Sequence, residues 1–380
     1  MAKSGPSFEI HPDIRVAQTL PARVYSDPGM FALQRERVFA RTWHYAGHDD
    51  LVKVAGQVYP FSLLPGTLDE LLLLTRDADD RLHCLSNVCT HRGTLVVEGA
   101  GHEQQLRCRY HGRRFTLDGR FHSMPEFDGA ANFPSRADDL PHVALDAWER
   151  FLLVALDPLT TCDEVIGPMR TRLAGLPYGQ LSFDATGARE FLVNANWALY
   201  VDNYLEGFHI PYVHQSLAGT LDYAAYAVEL DRYSVLQLGI AKEGETAFGR
   251  VSAHPDAERA IAAYYYWLFP TTMFNVYPWA SRSTSSRHSP SIERACRSSR
   301  SSGMRRCATA ERARVSTASS ARTRRSSNPC SAASGRASTT AAATRPRARP
   351  ESITSTVSWP SSCGPDRAHA RRGALLMCLS

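Results

Sequence analysis

Cys89-Thr90-His91-Arg92-Gly93 and Cys108-Arg109-Tyr110-His111-Gly112 decide how this chain is read. Sixteen residues, Arg92 to Arg107, lie between His91 and Cys108. Each stretch offers one thiolate and one imidazole on a short loop that ends in glycine. Two such loops can clamp a [2Fe–2S] cluster, with both cysteines on one iron and both histidines on the other. Neutral imidazoles in place of two thiolates raise the reduction potential above that of an all-cysteine cluster. Structural zinc is the competing reading, because zinc also takes two cysteines and two histidines. Zinc sites of that kind pair Cys with Cys and His with His along the chain, whereas each loop here mixes them. Gly93 and Gly112 suit tight loops whose backbone amides approach cluster sulfurs. The cluster is the preferred reading, and it makes the segment a one-electron relay.

At 380 residues the chain has room for about two domains. No apolar run approaches 18 residues, and the start, Met1 to Pro6, is not an apolar signal segment, so a soluble cytoplasmic protein is expected, with no membrane contact. Nine cysteines in that setting serve as metal ligands and buried thiols rather than disulfides. The formal charge of +5 hides a division. Residues 281–380 hold 19 Arg, no Lys and 4 acids, a net +15, which leaves residues 1–280 at −10. All 15 Phe and 15 Tyr precede residue 281.

Residues 1–38 read as an amphipathic lead-in with a helix from Asp27 to Phe39. From Thr42 the pattern turns to short strands. Leu71 to Leu74 and Phe151 to Val154 read as buried strands, and Leu117-Asp118-Gly119-Arg120 as a hairpin turn. Residues 158–185, rich in Pro and Gly, read as a connector.

The second informative segment runs from Asn196 to His214, N-W-A-L-Y-V-D-N-Y-L-E-G-F-H-I-P-Y-V-H. Trp197, Tyr200, Tyr204 and Phe208 recur at helical spacing. Glu206 and His209, three apart, are expected on one helix face. Pro211 then bends the chain and can return His214 towards His209. Two neutral histidines and a carboxylate are the ligands of a non-haem Fe(II) site with open positions for O2. The bland reading of the pair is two histidines satisfying polar groups in a helix interface; a cluster motif upstream favours iron.

Together, C-x-H-x16-C-x2-H and E-x2-H-x4-H resemble the catalytic α subunit of Rieske non-haem iron oxygenases, the aromatic-ring-hydroxylating dioxygenases and related monooxygenases. The resemblance covers about residues 8–279. Within the family, N-W…D-N-Y-L-E…H-I-P-Y-V-H and Phe274 to Trp279 look closest to the choline monooxygenase and quaternary-amine branch. The resemblance implies an α+β fold: an all-β Rieske [2Fe–2S] domain before an α+β catalytic domain with a helix-grip-like antiparallel sheet, truncated here, and a disordered C-terminal tail. The domains would be the lead-in 1–38, the Rieske domain 39–160, a partial mononuclear-iron domain 161–279, and the Ser/Arg/Ala-rich tail 280–380.

Position by position, the resemblance assigns Cys89, His91, Cys108 and His111 to the cluster and His209 and His214 to the mononuclear Fe(II). Glu206 takes the place of the acidic bridge, Asp in ring dioxygenases, which links a cluster histidine of one subunit to an iron histidine of its neighbour. His111 of one chain would thus reach Glu206 and His209 of another, which implies a homotrimer. Asn203 matches a polar residue beside the iron. The family usually has Pro after the second cysteine and Trp after H-G, where this chain has Arg109 and Arg113; neither is a ligand. Tyr264, Tyr265, Tyr266 and Trp267 could cage a quaternary ammonium by cation–π contact, although a buried strand is the favoured reading of each.

The family's third iron ligand is an Asp well beyond the histidines. After Trp279 the only acids are Glu293, Glu311, Glu351 and Asp366, none in the family's E-D-x4-E-S-V-Q context. A frameshift in a GC-rich gene accounts for this. Trp279 to Thr284 can be written TGG GCC TCT CGG TCA ACG; one G restored after TGG gives W-G-L-S-V-N. Arg322 to Ser331, read one base earlier, can give E-D-E-A-V-V-E-S-V-Q, with the Asp codon straddling Arg322 and Thr323. Both matches fall in the same frame.

The expected function is therefore a catalytic subunit that hydroxylates a small organic substrate, aromatic or a quaternary amine, with O2 and electrons from a ferredoxin or flavin reductase. The missing ligand would leave this chain inactive as written. A Rieske-type electron carrier without oxygenase activity is the alternative; length and E-x2-H-x4-H argue against it. A nucleic-acid-binding protein using the basic tail is a third reading, weakened by the acidic body.

Overall fold

The leucine run at 71–74 and the apolar run at 151–154 become the central strands of two separate small sheets. The computed structural model describes residues 11, 13, 15–176, 178, 181–249, 254–278, 280–288 and 294–303. The lead-in forms α1 (Arg23–Ser26) and α2 (Pro28–Arg37). Asp27 caps α2, accepting from the amides of Gly29 and Met30 at 2.7 and 3.1 Å, and Pro28 starts it where a missing N–H costs nothing.

The next stretch is all β. A three-stranded sheet has the order β1-β10-β9, from β1 (His44–His48), β10 (Phe151–Ala155) and β9 (Ala144–Trp148). A four-stranded sheet places β3 (Glu70–Arg76) between β4 (Leu82–Ser86) and β2 (Gln57–Leu63), with the short β5 (Gly101–His102) outside β2. A small meander of β6 (Leu106–Arg107), β7 (Arg114–Phe115) and β8 (Phe121–Ser123) carries the second cluster loop. The predicted hairpin turn is present: Gly119 has φ +87°, and the Thr116 amide donates to Arg120 O at 2.9 Å. His44 in β1 is fully buried, with Nε2 2.7 Å from Phe39 O. Burial outweighs that bond and pushes its pKa down to about 4. Unfolded, the ring would protonate near its ordinary value of about 6.5. The unfolded state thus binds the extra proton between those pH values, so stability is whole above 6.5 and falls as pH drops towards 4, by about 1.4 kcal/mol per unit from this residue. Denaturant melts of His44→Gln at pH 5 and pH 7 should show that increment removed from the pH slope.

The 158–185 connector needs correction. It holds α3 (Cys162–Arg172), opened by a reciprocal cap in which Glu164 N–H donates to Thr161 Oγ1 and Thr161 N–H to Glu164 Oε2. Pro and Gly content obscured a T-x-x-E signature that was present. One face of α3, with Val165, Ile166 and Met169, packs in the same core as Trp148, Phe151, Tyr264, Tyr266 and Phe274.

β11 (Leu181–Val193) leads to α4 (Trp197–Leu205), α5 (Ile210–Val213) and α6 (Gln215–Thr220). An antiparallel sheet of seven strands follows, in the order β11-β17-β16-β15-β14-β13-β12. Its other members are β12 (Ala227–Leu230), β13 (Ser234–Ile240), β14 (Ile261–Leu268), β15 (Thr272–Tyr277), β16 (Ala280–His288) and β17 (Arg294–Gly303). β14 is buried along its whole length, so Tyr264 to Trp267 are strand residues that face the cores on both sides. α4 lies against the lead-in: Trp197 meets Phe39 edge-on at 5.0 Å and donates to buried Gln34 at 3.0 Å.

The boundary set at Trp279 is also revised, because the sheet continues past it as β16 and β17. A ladder is made by backbone amides and carbonyls, which serine and arginine carry as well as valine does. The two strand sequences, A-S-R-S-T-S-S-R-H and R-A-C-R-S-S-R-S-S-G, have no aliphatic residue larger than alanine and no Phe, Tyr or Trp. Residues 304–380 of the expected disordered tail lie outside the described residues. No helix among the described residues is long and apolar enough to cross a membrane.

Candidate metal centres

The two cluster loops share one backbone frame. Cys89 N–H donates to Thr94 O at 2.8 Å and Gly93 N–H to Cys89 O at 3.0 Å; in the second loop Cys108 N–H donates to Arg113 O at 2.8 Å and Gly112 N–H to Cys108 O at 3.0 Å. Gly93 and Gly112 have φ of +72° and +75°, the left-handed conformation that glycine adopts without strain. On this common frame histidine sits two residues after Cys89 but three after Cys108. The result is a sulfur pair and an imidazole pair. Cys89 and Cys108 are each 2% exposed, within hydrogen-bonding reach of each other and packed among Leu73, Val96, Leu106 and Phe115. His91 and His111 face each other at the outer edge, ring centroids 4.8 Å apart.

Burial first, then the charges of His111, Arg113 and Arg92, lower the pKa of His91 and keep it neutral, as a ligand must be. Burial raises the pKa of the Cys89 thiol, opposed by the His91 backbone, so binding iron there releases a proton. Among the described residues no three or more Cys, His, Asp or Glu side chains group as ligands of a single metal ion. Two separate pairs suit a two-iron cluster bridged by inorganic sulfide better than one tetrahedral zinc.

At the second centre the expected geometry changes while the contact holds. α4 ends at Leu205, and Glu206 is extended at φ −105°, ψ 142°, so Glu206 and His209 do not share a helix face. The chain instead turns through Gly207, and the carboxylate folds over that turn. Glu206 Oε2 accepts from the amides of Phe208 at 2.6 Å and His209 at 3.3 Å, and Oε1 lies 2.5 Å from His209 Nδ1. An ionised carboxylate can only accept, so His209 carries its proton on Nδ1 and its Nε2 lone pair is left for a metal. Pro211 fits the first turn of α5, and His214 comes back with its ring 5.0 Å from that of His209. Asn203 is exposed on α4, and no hydrogen bond joins it to either histidine.

Sequence reasoning passed over two polar groups. Tyr25 donates to Asp202 at 2.9 Å, and burial raises the Asp202 pKa against that bond. Tyr204 donates to Asn275 at 2.6 Å, and Gln237 donates to Tyr204 O at 2.8 Å while accepting from Tyr226 at 3.0 Å. The Tyr25 bond ties α4 to α1, and the Tyr204 bonds tie it to β13 and β15 of the sheet. No local spacing announces partners so far apart in sequence.

A buried sulfur pair under a more exposed imidazole pair, followed by an antiparallel sheet with a second histidine pair, defines a Rieske-type iron–sulfur protein with an appended sheet domain. Comparison with known proteins agrees: the Rieske [2Fe-2S] domain matches residues 42–134, and the ring hydroxylating alpha subunit catalytic domain matches residues 176–327, past Trp279. The carnitine monooxygenase oxygenase subunit of Escherichia coli (strain K12) is 31% identical over 267 residues, 69% of this chain and 68% of that protein. The chain belongs to the family of Rieske non-haem iron oxygenase alpha subunits. Its Rieske domain implies a [2Fe–2S] cluster and its catalytic domain a mononuclear iron. The chloroplastic choline monooxygenase of Arabidopsis thaliana is 28% identical over 280 residues, 69% of this chain but 63% of that enzyme, so the chain spans less than two thirds of this relative. In fold it is similar to the quaternary ammonium Rieske monooxygenase CntA (TM-score 0.66, 22% identity, 80% of each chain). It is also similar to naphthalene 1,2-dioxygenase from Rhodococcus sp. (TM-score 0.62, 17% identity, 78% and 76% covered).

Proposed function

We propose that this chain is an oxygenase catalytic subunit that takes electrons singly at Cys89, His91, Cys108 and His111 and uses them at His209 and His214 to hydroxylate a small organic substrate with O2. The observation that carries this reading is the Glu206–His209 bond beside His214, which a carrier has no use for. When bound, the cluster supplies one-electron transfer and the iron supplies O2 activation. The chain's own residues do the rest. Burial of the two sulfurs leaves the imidazole edge as the exit for electrons. Glu206 holds the proton on His209 Nδ1 and orients the ring. Tyr110 is 56% exposed beside His111, and Tyr212 and Val213 are 83% and 65% exposed beside His214. These two faces suit contact between copies, His111 of one against Glu206 of the next, in a homotrimer.

The substrate class we favour is a quaternary amine such as choline, with aromatic compounds as the wider alternative. The donor would be a ferredoxin or flavin reductase, and the setting the cytoplasm. The domain division we propose is a lead-in 1–38, a Rieske domain 39–160 and a catalytic domain from 161 whose sheet takes in β16 and β17. A second reading, a Rieske electron carrier without oxygenase activity, draws on the lack of a third acidic ligand near the histidines among the described residues. Iron content separates the two in a frame-restored chain: three irons per chain support the oxygenase, and two would sink it in favour of the carrier. In that chain Glu206→Gln should lower turnover about 10- to 100-fold, the usual cost of losing a group that orients a metal ligand. The cluster spectrum should not change, and unchanged turnover would remove Glu206 from the route.

A further inference from the structure

We propose that the ion pair of buried Arg113 with half-buried Asp138 both fastens the two cluster loops together and raises the reduction potential of the cluster. The proposal rests on the cluster reading and extends it to two residues that hold no iron.

One residue receives a bond from each cluster loop. Thr90, between Cys89 and His91, donates from Oγ1 to Asp138 O at 2.8 Å. Arg113, whose carbonyl closes the second loop, donates from Nη2 to Asp138 Oδ1 at 2.5 Å and to Asp138 O at 3.2 Å. Asp138 is itself fixed, its Oδ2 accepting from the Ser135 amide at 2.7 Å and the Ser135 hydroxyl at 3.1 Å. The guanidinium is boxed by aromatic rings, with Phe121, Phe133 and Phe115 at 5.0, 5.6 and 5.7 Å from its central carbon.

A clasp alone would not need a charge. The family resemblance places a neutral tryptophan here, and a ring would fill an aromatic box. Arginine adds a charge that does not titrate away. Its side chain is 3% exposed and that of Asp138 is 20% exposed, so water screens the carboxylate more than the guanidinium. The net field at the loops is therefore positive. Reduction adds one electron to the cluster, and a nearby positive charge favours that state.

The test is a mediator-poised titration with dithionite as reductant on the full-length holoprotein, followed by the EPR signal of the reduced cluster. Arg113→Gln should lower the equilibrium constant for reduction about tenfold, about 59 mV for one electron. Arg113→Lys, which keeps the charge, should stay within about threefold of wild type. Asp138→Asn should shift the constant upward by about threefold or more, as the counter-charge is lost. A purely structural clasp would move both residues' variants in the same direction. An unmoved Arg113→Gln, or a downward shift in Asp138→Asn, overturns the proposal. If Arg113→Gln fails to load, the direction of the Asp138→Asn shift decides. A wild-type protein with no such signal would overturn the cluster reading itself; a normal wild-type signal with unmoved variants overturns only this proposal.

Discussion

Cys108→Ser will leave the chain without its [2Fe–2S] absorption and without the two irons of that site. The sulfur lies in a closed apolar core, and iron there needs a thiolate. A serine hydroxyl does not ionise under the same conditions, so the sulfur pair is halved and the second iron loses its anchor. The effect is all or none rather than graded. Cys84→Ser is the control. Cys84 is equally buried, and burial alone pushes its thiol up to about 12, the mark of an inert core cysteine. That variant should keep its iron at some cost in stability. Visible absorption and iron content on both proteins check this, and a Cys108→Ser protein with full colour would remove Cys108 from the ligand set.

Restoring one G after the Trp279 codon should raise iron from two to three per chain and bring turnover from none to measurable. β15 pairs Met273 with Thr284, Phe274 with Ser283 and Val276 with Ser281, so the ladder runs on beside residues that bring no apolar surface. A strand next to largely buried β15, itself beside wholly buried β14, ought to read as Val, Ile or aromatic. With the codons written above, the restored frame reads W-G-L-S-V-N from Trp279 into β16 and places an Asp within E-D-E-A-V-V-E-S-V-Q. Resequencing across the codon, then iron assay of both reading frames, tests it. Three irons in the chain as given, or an unchanged reading frame on resequencing, would refute the frameshift as the cause.

Much of the site was legible because chemistry constrains residue identity. Only Cys and His could serve the cluster, so Cys89, His91, Cys108 and His111 stood out without a fold. The route from Glu206 to His209 was legible as a pair but not as a geometry. Spacing of three suggests a helix face, whereas the helix ends at Leu205, Glu206 is extended and its side chain folds back onto His209. α3 was written in Thr161-x-x-Glu164 but masked by nearby Pro and Gly. Asp138 could not have been read, since it meets Arg113 across 25 residues and belongs to no motif. Nor could the junction of β11 with β17, which joins strands with the whole of the sheet between them in sequence.

The bonds that shape the two cluster loops run from backbone to backbone, Cys89 to Thr94 and Cys108 to Arg113. They are made without the four ligand side chains, so the shape of each loop does not wait for iron. Cluster insertion can then follow folding instead of driving it. The pace of maturation in this protein would be set by cluster delivery, not by the chain's own search for its shape.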